Sequence, residues 1–208
     1  MSATTTTATS KRIGVILGST RKGGNALGLA KWVSTFLQKN IPDEIEIVVV
    51  DPVTPPQPLG PLLHPQMPSL VKELSDYPTE PIRDWSRFVS SCGAIVVITP
   101  QFNWGYPGEL KNALDHLYYE WHGKPAMMVT YGSRGGAKCA EQLRQVMGKG
   151  LKIKLVGRDV LVSLPHDYIA GEERVKGDEE FLKAFEESLK EASDELYELM
   201  GGEANAPA

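Results

Sequence analysis

Short apolar runs rich in β-branched residues alternate along this chain with longer stretches whose apolar positions recur every three or four residues. "RIGVIL" (12–17), "EIEIVVVD" (44–51), "AIVVIT" (94–99) and "AMMVTY" (126–131) read as strands, and "LKIKLVGRDVLVSLP" (151–165) holds a fifth, bulged at Gly157. Between them, 24–40 places Leu27, Ala30, Val33, Phe36 and Leu37 at helical spacing, and 81–91 does the same with Ile82, Trp85, Phe88 and Val89. Further helices are expected over 108–121, over "GGAKCAEQLRQVMGKG" (135–150), and over 178–200. The last faces Phe181, Leu182, Phe185, Leu189, Leu196 and Leu199 inward. One stretch breaks the alternation. Pro52, Pro55, Pro56, Pro58, Pro61, Pro65 and Pro68 crowd the connection after the second strand, which cannot form regular structure and exceeds the usual length of such a link.

Five βα units with short apolar strands predict an α/β fold, a parallel sheet covered on both faces. The doubly wound order 2-1-3-4-5 is the common solution at this size, with its ligand crevice outside the carboxyl ends of the strands where the order reverses. The unusual loops should then follow strands one, three and four. They do: "GSTRKGGN" (18–25), "TPQFNWGYPG" (99–108) and "YGSRGG" (131–136).

Composition narrows the picture without redirecting it. The chain has 208 residues, 41% hydrophobic and 23% charged, which is enough for one core; a single domain is expected over 11–200. "MSATTTTATS" (1–10) and the end 201–208 are expected to be a disordered leader and tail. A formal net charge of −4 with no Lys/Arg-rich run argues against a nucleic-acid partner or an anionic membrane surface. The apolar runs are too short to span a bilayer, and the amino terminus has neither the basic region nor the apolar core of a secretory signal. Cys92 and Cys139 form no CxxC, so reduced thiols in the cytoplasm are the expectation.

The loops carry the chemistry. In 18–25, glycines, hydroxyls and Arg21 stand before a helix, an arrangement suited to an anion held by backbone N–H groups, the helix dipole and a guanidinium. The pattern is neither G-x-G-x-x-G nor G-x-x-x-x-G-K-[ST], so a monophosphate fits better than a dinucleotide pyrophosphate or a hydrolysed triphosphate. A plain βα turn with a surface arginine is the competing reading. In 99–108, Pro100 sends the chain rigidly off the sheet. Gln101 and Asn103 offer amide groups suited to the imide edge of a flavin, and Phe102 and Trp104 can lie against a ring. Singly, those aromatics are more often core. In 131–136, missing side chains let backbone approach a ligand closely, or else make a flexible turn; Arg134 has no evident target.

"GSTR", "PQFNWGYPGELKNALD" and "YGSRGG" together resemble the NADPH-dependent FMN reductase family of flavodoxin-like quinone reductases, and the run from Asn103 to Gly136 is especially similar to fungal NAD(P)H:quinone reductases of that family. The likeness extends over about 11–165. It implies a non-covalent FMN, a homodimer or dimer of dimers with flavins near the interface, and NAD(P)H as co-substrate. It further implies hydride transfer to flavin N5 and onward reduction of a quinone or similar acceptor. Carried over by position, the cofactor-binding set is Ser19, Arg21, Asn25 and Ala26; Pro100, Gln101, Phe102, Asn103 and Trp104; and Tyr131, Gly132, Ser133, Gly135 and Gly136. Gln101 stands where many members carry glutamate, and the proline-rich insertion is longer than the family leads one to expect. No catalytic side chain is required, because the flavin supplies the chemistry. Tyr106, Trp104 and Trp121 are candidates for an acceptor pocket or for core. The alternative is an FMN electron carrier of the flavodoxin kind, against which Arg21 and the modest charge count, or a redox-sensing, partner-binding protein.

Nothing suggests a metal. His116 and Glu120 sit at i,i+4 on an expected helix with no third ligand, and read as a surface pair. No G-x-S-x-G is present for a hydrolase. The charged run "GEERVKGDEEF" (171–181) reads as a solvated lead-in to the last helix.

Overall fold

A computed structural model describes residues 11–202. The expected leader and residues 203–208 of the expected tail lie outside that range. Strand β1 (Arg12–Leu17) is buried along nearly its whole length, and β3 (Ala94–Pro100) is buried throughout. Both sit in the middle of a parallel sheet in the order β2 (Glu46–Val50), β1, β3, β4 (Pro125–Gly132), β5 (Lys154–Leu155). Central strands of a sheet covered on both faces have no polar side to present, which is why their sequences run apolar rather than alternating.

The fifth strand is interrupted. β6 (Val160–Ser163) also pairs with β4, and the offset between partners grows from 29 residues at Lys154–Pro125 to 31 at Val160–Val129. Two extra residues are therefore accommodated around Gly157. Arg144 secures them, donating to Asp159 Oδ1 and Oδ2 at 2.7 and 2.8 Å and to the Val156 and Gly157 carbonyls at 2.8 and 2.9 Å.

On one face lie α1 (Ala26–Asn40) and α6 (Glu186–Leu199), closing a core with Leu29, Val33, Leu37, Leu189 and Leu196. The opposite face carries α2 (Glu80–Ser91), α3 (Gly108–Asp115) and α4 (Ala137–Leu143), the last continuing as a wider π-helical turn over 144–150. There Trp85 and Trp121 meet edge to face, 6.1 Å between centroids. Their indole N–H groups donate to the Ala113 and Leu114 carbonyls, so both polar handles are satisfied in the core.

The apolar spacing misleads in a few places. Leu27 is 60% exposed, because the buried stripe of α1 runs through Ala26, Leu29, Ala30, Val33 and Leu37 and passes it by. Leu199 is likewise exposed at the end of α6, where Ala192 and Ser193 face inward instead. The expected helix 108–121 stops at Asp115 and resumes only as a single turn at Tyr119–Trp121. His116 and Glu120 consequently do not form a surface pair. His116 is buried with Nε2 3.2 Å from the Gly60 carbonyl, and Glu120 accepts from the Tyr77 and Ser86 hydroxyls at 2.8 and 2.6 Å. Burial and the adjoining carboxylate hold the Tyr77 phenol protonated far above its ordinary range.

Between β2 and α2, the proline-rich segment runs as irregular chain with short turns at Pro68–Leu70 and Leu74–Asp76. It is anchored by Leu59, Val71 and Tyr77, which enter the core beneath α2 and α3.

Candidate functional site

The reversal of strand order between β1 and β3 brings the three unusual loops to one edge, as a doubly wound sheet requires. A cavity of about 130 Å³ opens there, lined by Ser19, Arg21, Asn25 and Ala26 from the first loop, Pro100 and Phe102 from the second, and Tyr131 from the third.

The first loop keeps its donors available. Arg21 N–H donates to Ser19 Oγ at 3.2 Å, which folds the loop over. No side chain caps the N-terminus of α1, and its first turn holds no acid. The opening N–H groups of a helix have no partner within it, so this end of α1 presents donors and the positive end of its dipole to the cavity. The Arg21 guanidinium lies over the Phe102 ring, 4.5 Å from its centroid, and no carboxylate pairs with it among the described residues. Thr20 turns the other way and donates to Glu109 Oε1 at 3.1 Å.

Asn25 is committed elsewhere. Its Nδ2 donates to the Tyr168 carbonyl at 2.8 Å and its Oδ1 accepts from Val175 N–H at 2.9 Å. Both ends of the amide thus hold the segment that follows β6 against the start of α1.

That segment was not legible as part of the site. The chain from α5 (His166–Ile169) to Gly177 crosses the amino end of α1, and Lys22, Tyr168, Ile169 and Arg174 complete the cavity wall. Arg174 donates to the Gly23, Gly171 and Glu173 carbonyls, adding a second guanidinium without a carboxylate partner among the described residues. The run 171–181 keeps most of its charged side chains in solvent, as expected, but it is also a strap packed over α1 through Val175. Two signals point that way, one inside the run and one beneath it: Val175, the one aliphatic residue among charges, is buried, and Gly28 of α1 lies so close that a Cβ there would sit 1.8 Å from the Val175 carbonyl oxygen.

In the second loop, Phe102 and Gly105 exchange two backbone hydrogen bonds of 2.9 Å, making a two-residue hairpin. Its tip, Asn103 and Trp104, has positive φ at both positions, 45° and 76°. This is the type I′ geometry, which asparagine enters readily and tryptophan does not. Trp104 is nevertheless 61% exposed there. Gln101 N–H donates to the Tyr131 carbonyl at 2.9 Å, and Gln101 Oε1 accepts from Lys138 and Cys139 N–H at 3.1 and 3.3 Å. Its side-chain oxygen thus caps α4, leaving the amide nitrogen for a neighbour. Trp121 is fully buried and belongs to the core; Tyr106 is half-buried against the same core.

The third loop is closed tightly. Gly135 and Gly136 have φ of 73° and 76°, and Thr130 Oγ1 donates to the Gly135 carbonyl at 2.8 Å. A Cβ on Gly136 would sit 2.9 Å from Thr130 Cβ, so the turn excludes larger residues on two grounds. Gly132 and Ser133 remain at the surface, outside the cavity lining. Burial raises the Tyr131 phenol well above its usual range, which keeps it a neutral hydrogen-bond donor.

FMN can be tested against this arrangement. Pockets for drug-sized ligands have volumes of about 300–1,000 Å³, so the cavity takes one end of the molecule. Free helix N–H groups, two guanidiniums without acid partners and Lys22 suit a phosphate. The hairpin and the glycine turn form the edge beyond it.

Comparison with known proteins bears on the same residues. The family model for NADPH-dependent FMN reductase matches residues 11–167. The chain is 40% identical over 157 residues to the NAD(P)H-dependent FMN reductase LOT6 of Saccharomyces cerevisiae, covering 74% of this chain and 81% of that one. It is 30% identical over 201 residues to the NAD(P)H-dependent FMN reductase ntnL of a Nectria species, covering 91% and 96%. Among solved structures, the flavoenzyme NAD(P)H:(acceptor) oxidoreductase FerB of Paracoccus denitrificans superposes with a TM-score of 0.62 at 22% identity, over 90% of this chain and 97% of that one, a likeness of fold.

Proposed function

Because the chain belongs to the NADPH-dependent FMN reductase family, we propose that it is an FMN-dependent NAD(P)H oxidoreductase that passes electrons to a quinone or a similar small acceptor. The observation that carries this reading is the convergence of the three loops on one cavity whose cations and helix N–H groups have no acidic partner among the described residues. FMN, when bound, would supply the redox chemistry, taking hydride from the nicotinamide and returning electrons to the acceptor.

The protein's part is binding and orientation. Arg21, Lys22, Arg174 and the N–H groups opening α1 hold the phosphate. Ser19 shapes the turn that aims them, and Asn25 fixes the strap that completes the wall. Pro100, Gln101, Phe102 and the Asn103–Trp104 tip form an edge whose backbone is set by the hairpin hydrogen bonds. Gly132, Ser133, Gly135 and Gly136 bring main chain close on the other side. No side chain is needed as an acid or base.

The expected assembly is a homodimer or a dimer of dimers. Val53, Leu62, Leu63, Met67 and Leu70 stand exposed on the proline-rich segment, an apolar row that a second copy would cover. No helix among the described residues is long and apolar enough to cross a membrane. We place the protein in the cytoplasm on the strength of its two unpaired cysteines.

The test is spectroscopic. The purified protein, supplied with FMN, should show visible flavin bands that bleach anaerobically with NADPH and return with a benzoquinone. Bound flavin that NADPH and NADH leave oxidised would make the protein an electron carrier. Failure to retain any flavin would overturn the cofactor assignment.

A further inference from the structure

The strap over α1 is fastened at its two ends and lightly held in its middle. Before it, Leu164 is buried and its N–H donates to the Gly132 carbonyl at 2.9 Å; after it, Leu182 is buried. The Tyr168 and Phe181 rings, 5.1 Å between centroids, draw the two ends together. A loop whose ends meet can lift without dragging the elements that carry it.

Between those ends Val175 is the one buried residue, while Glu172, Glu173, Arg174 and Lys176 are exposed. The ties to the first loop are the two bonds of the Asn25 amide and the Arg174 bond to the Gly23 carbonyl. Glu179 accepts from the Lys176 and Gly177 N–H groups at 2.6 and 3.0 Å, a turn the strap keeps whether or not it touches α1. The free energy of opening a segment follows the apolar contacts and hydrogen bonds it gives up, and here these are few. The strap therefore opens at far lower cost than the sheet beneath it.

Its position gives that opening a consequence. Tyr168, Ile169 and Arg174 form one wall of the cavity, and the first loop forms the wall opposite. Arg174 reaches from the strap to the Gly23 carbonyl, so its guanidinium bridges the two. With about 130 Å³ between these walls, an anion seated at the start of α1 is enclosed by them. The strap lies beyond residue 167, where the match to the family model ends.

We propose that the strap is the gate for flavin exchange: FMN enters and leaves when residues 170–177 lift from α1, and Asn25 and Val175 are the latch that holds them down. The proposal rests on the phosphate reading of the cavity given above. Asn25 is on this account a positioning residue, acting on the cofactor through the strap, since both ends of its amide are spent there. Loosening the latch raises the open fraction with and without flavin alike. Entry and exit should therefore accelerate by the same factor and affinity should hardly change, whereas loosening a strap that only touches bound flavin would speed exit alone.

The experiment compares the full chain with Val175→Ala and Asn25→Ala. Trypsin can cut after Arg174 and Lys176 only when the strap opens, so cleavage of those bonds in the native protein, followed by mass spectrometry, reads the open fraction. Either variant should be cut there about tenfold faster than the parent, for the loss of two buried methyl groups or of two hydrogen bonds. Inorganic phosphate should slow the cut in all three proteins. The bond after Arg144 should stay intact meanwhile; its cleavage in step with the strap would mean that the strap opens only when the fold does, and would overturn the gate. Rapid mixing with FMN, followed by fluorescence, should show association and dissociation both about tenfold faster in the variants. Faster dissociation with association unchanged, or variants cut no faster than the parent, would equally overturn it. Failure of FMN to bind would instead defeat the flavin reading, and protection by phosphate would still decide whether the strap closes over an anion.

Discussion

Arg144 and Arg21 carry the same side chain in regions that treat it oppositely. At the break between β5 and β6, Arg144 is half-buried and its fork is filled by both Asp159 oxygens and two carbonyls. In the loop after β1, Arg21 is exposed, rests on an aromatic ring, and has no carboxylate partner among the described residues. Where polar groups are closed on one another they hold the fold. Where they are left open at a concave edge, they are available for a ligand.

The sharpest way to break the comparison is to disturb the strap that joins the two kinds of region. Gly28→Ala would drive a Cβ into the Val175 backbone, 1.8 Å from its carbonyl oxygen. Overpacking of this kind costs about 3 kcal/mol or more, so a urea titration should show a clear loss of stability together with weaker FMN retention. A native midpoint would mean the strap yields freely.

Arg144→Ala should come next. Removing a partly buried guanidinium that serves four acceptors should cost about 2 kcal/mol of stability, read from the denaturation midpoint, with FMN affinity unchanged below the transition. Arg21→Ala should do the reverse. Stability should move by less than about 0.5 kcal/mol, while FMN binding weakens by about 1.5–3 kcal/mol, roughly tenfold to a hundredfold by fluorescence titration. If Arg21→Ala unfolds the chain or leaves FMN affinity intact, the division between closed and open arginines fails.

Trp104→Gly tests strain directly. A left-handed conformation costs a residue with a Cβ about 1–2 kcal/mol, partly offset by the extra freedom of glycine when unfolded. A net stabilisation of about 0.5 kcal/mol is expected, with weaker flavin retention because the indole is gone. Lower stability would show that the exposed ring packs in a way its exposure hides.

The last effect concerns pH and shows only in alkali. Burial pushes the Cys92 thiol up from 9.0 to about 11 and Cys139 up to about 12. A thiol whose folded pKa is raised favours the folded state fully below pH 9, and that contribution is lost as pH climbs through the folded values. Stability should decline between about pH 9 and 12, and Cys139→Ala should flatten the upper part of the decline. Neither thiol should alkylate in the native protein at neutral pH.

Much of this was legible in the chain. Apolar runs 12–17 and 94–99 cannot be anything but central strands once their flanking helices are recognised, and a doubly wound order follows from five such units. "GSTR" and "PQFNWGYPG" announced themselves because turns seldom need so many glycines, prolines and amides. The bulge at Gly157 was also readable, since glycine inside an apolar strand has little other use. His116 was misread because i,i+4 spacing says nothing unless the helix continues, and this one stops at Asp115.

The strap over α1, the double role of Asn25 and the burial of Gln57 were decided only when distant segments met. Asn25 binds Tyr168 and Val175 across about 150 residues of chain, and Gln57 owes its burial to a loop tied down by Asn112 and His116. Local pattern determines which segments become strands, helices and special turns, because those choices rest on backbone sterics and on the period of apolar residues. Which polar atoms find partners, and which are left facing a cavity, depends on long-range packing, and no periodicity in the sequence encodes it.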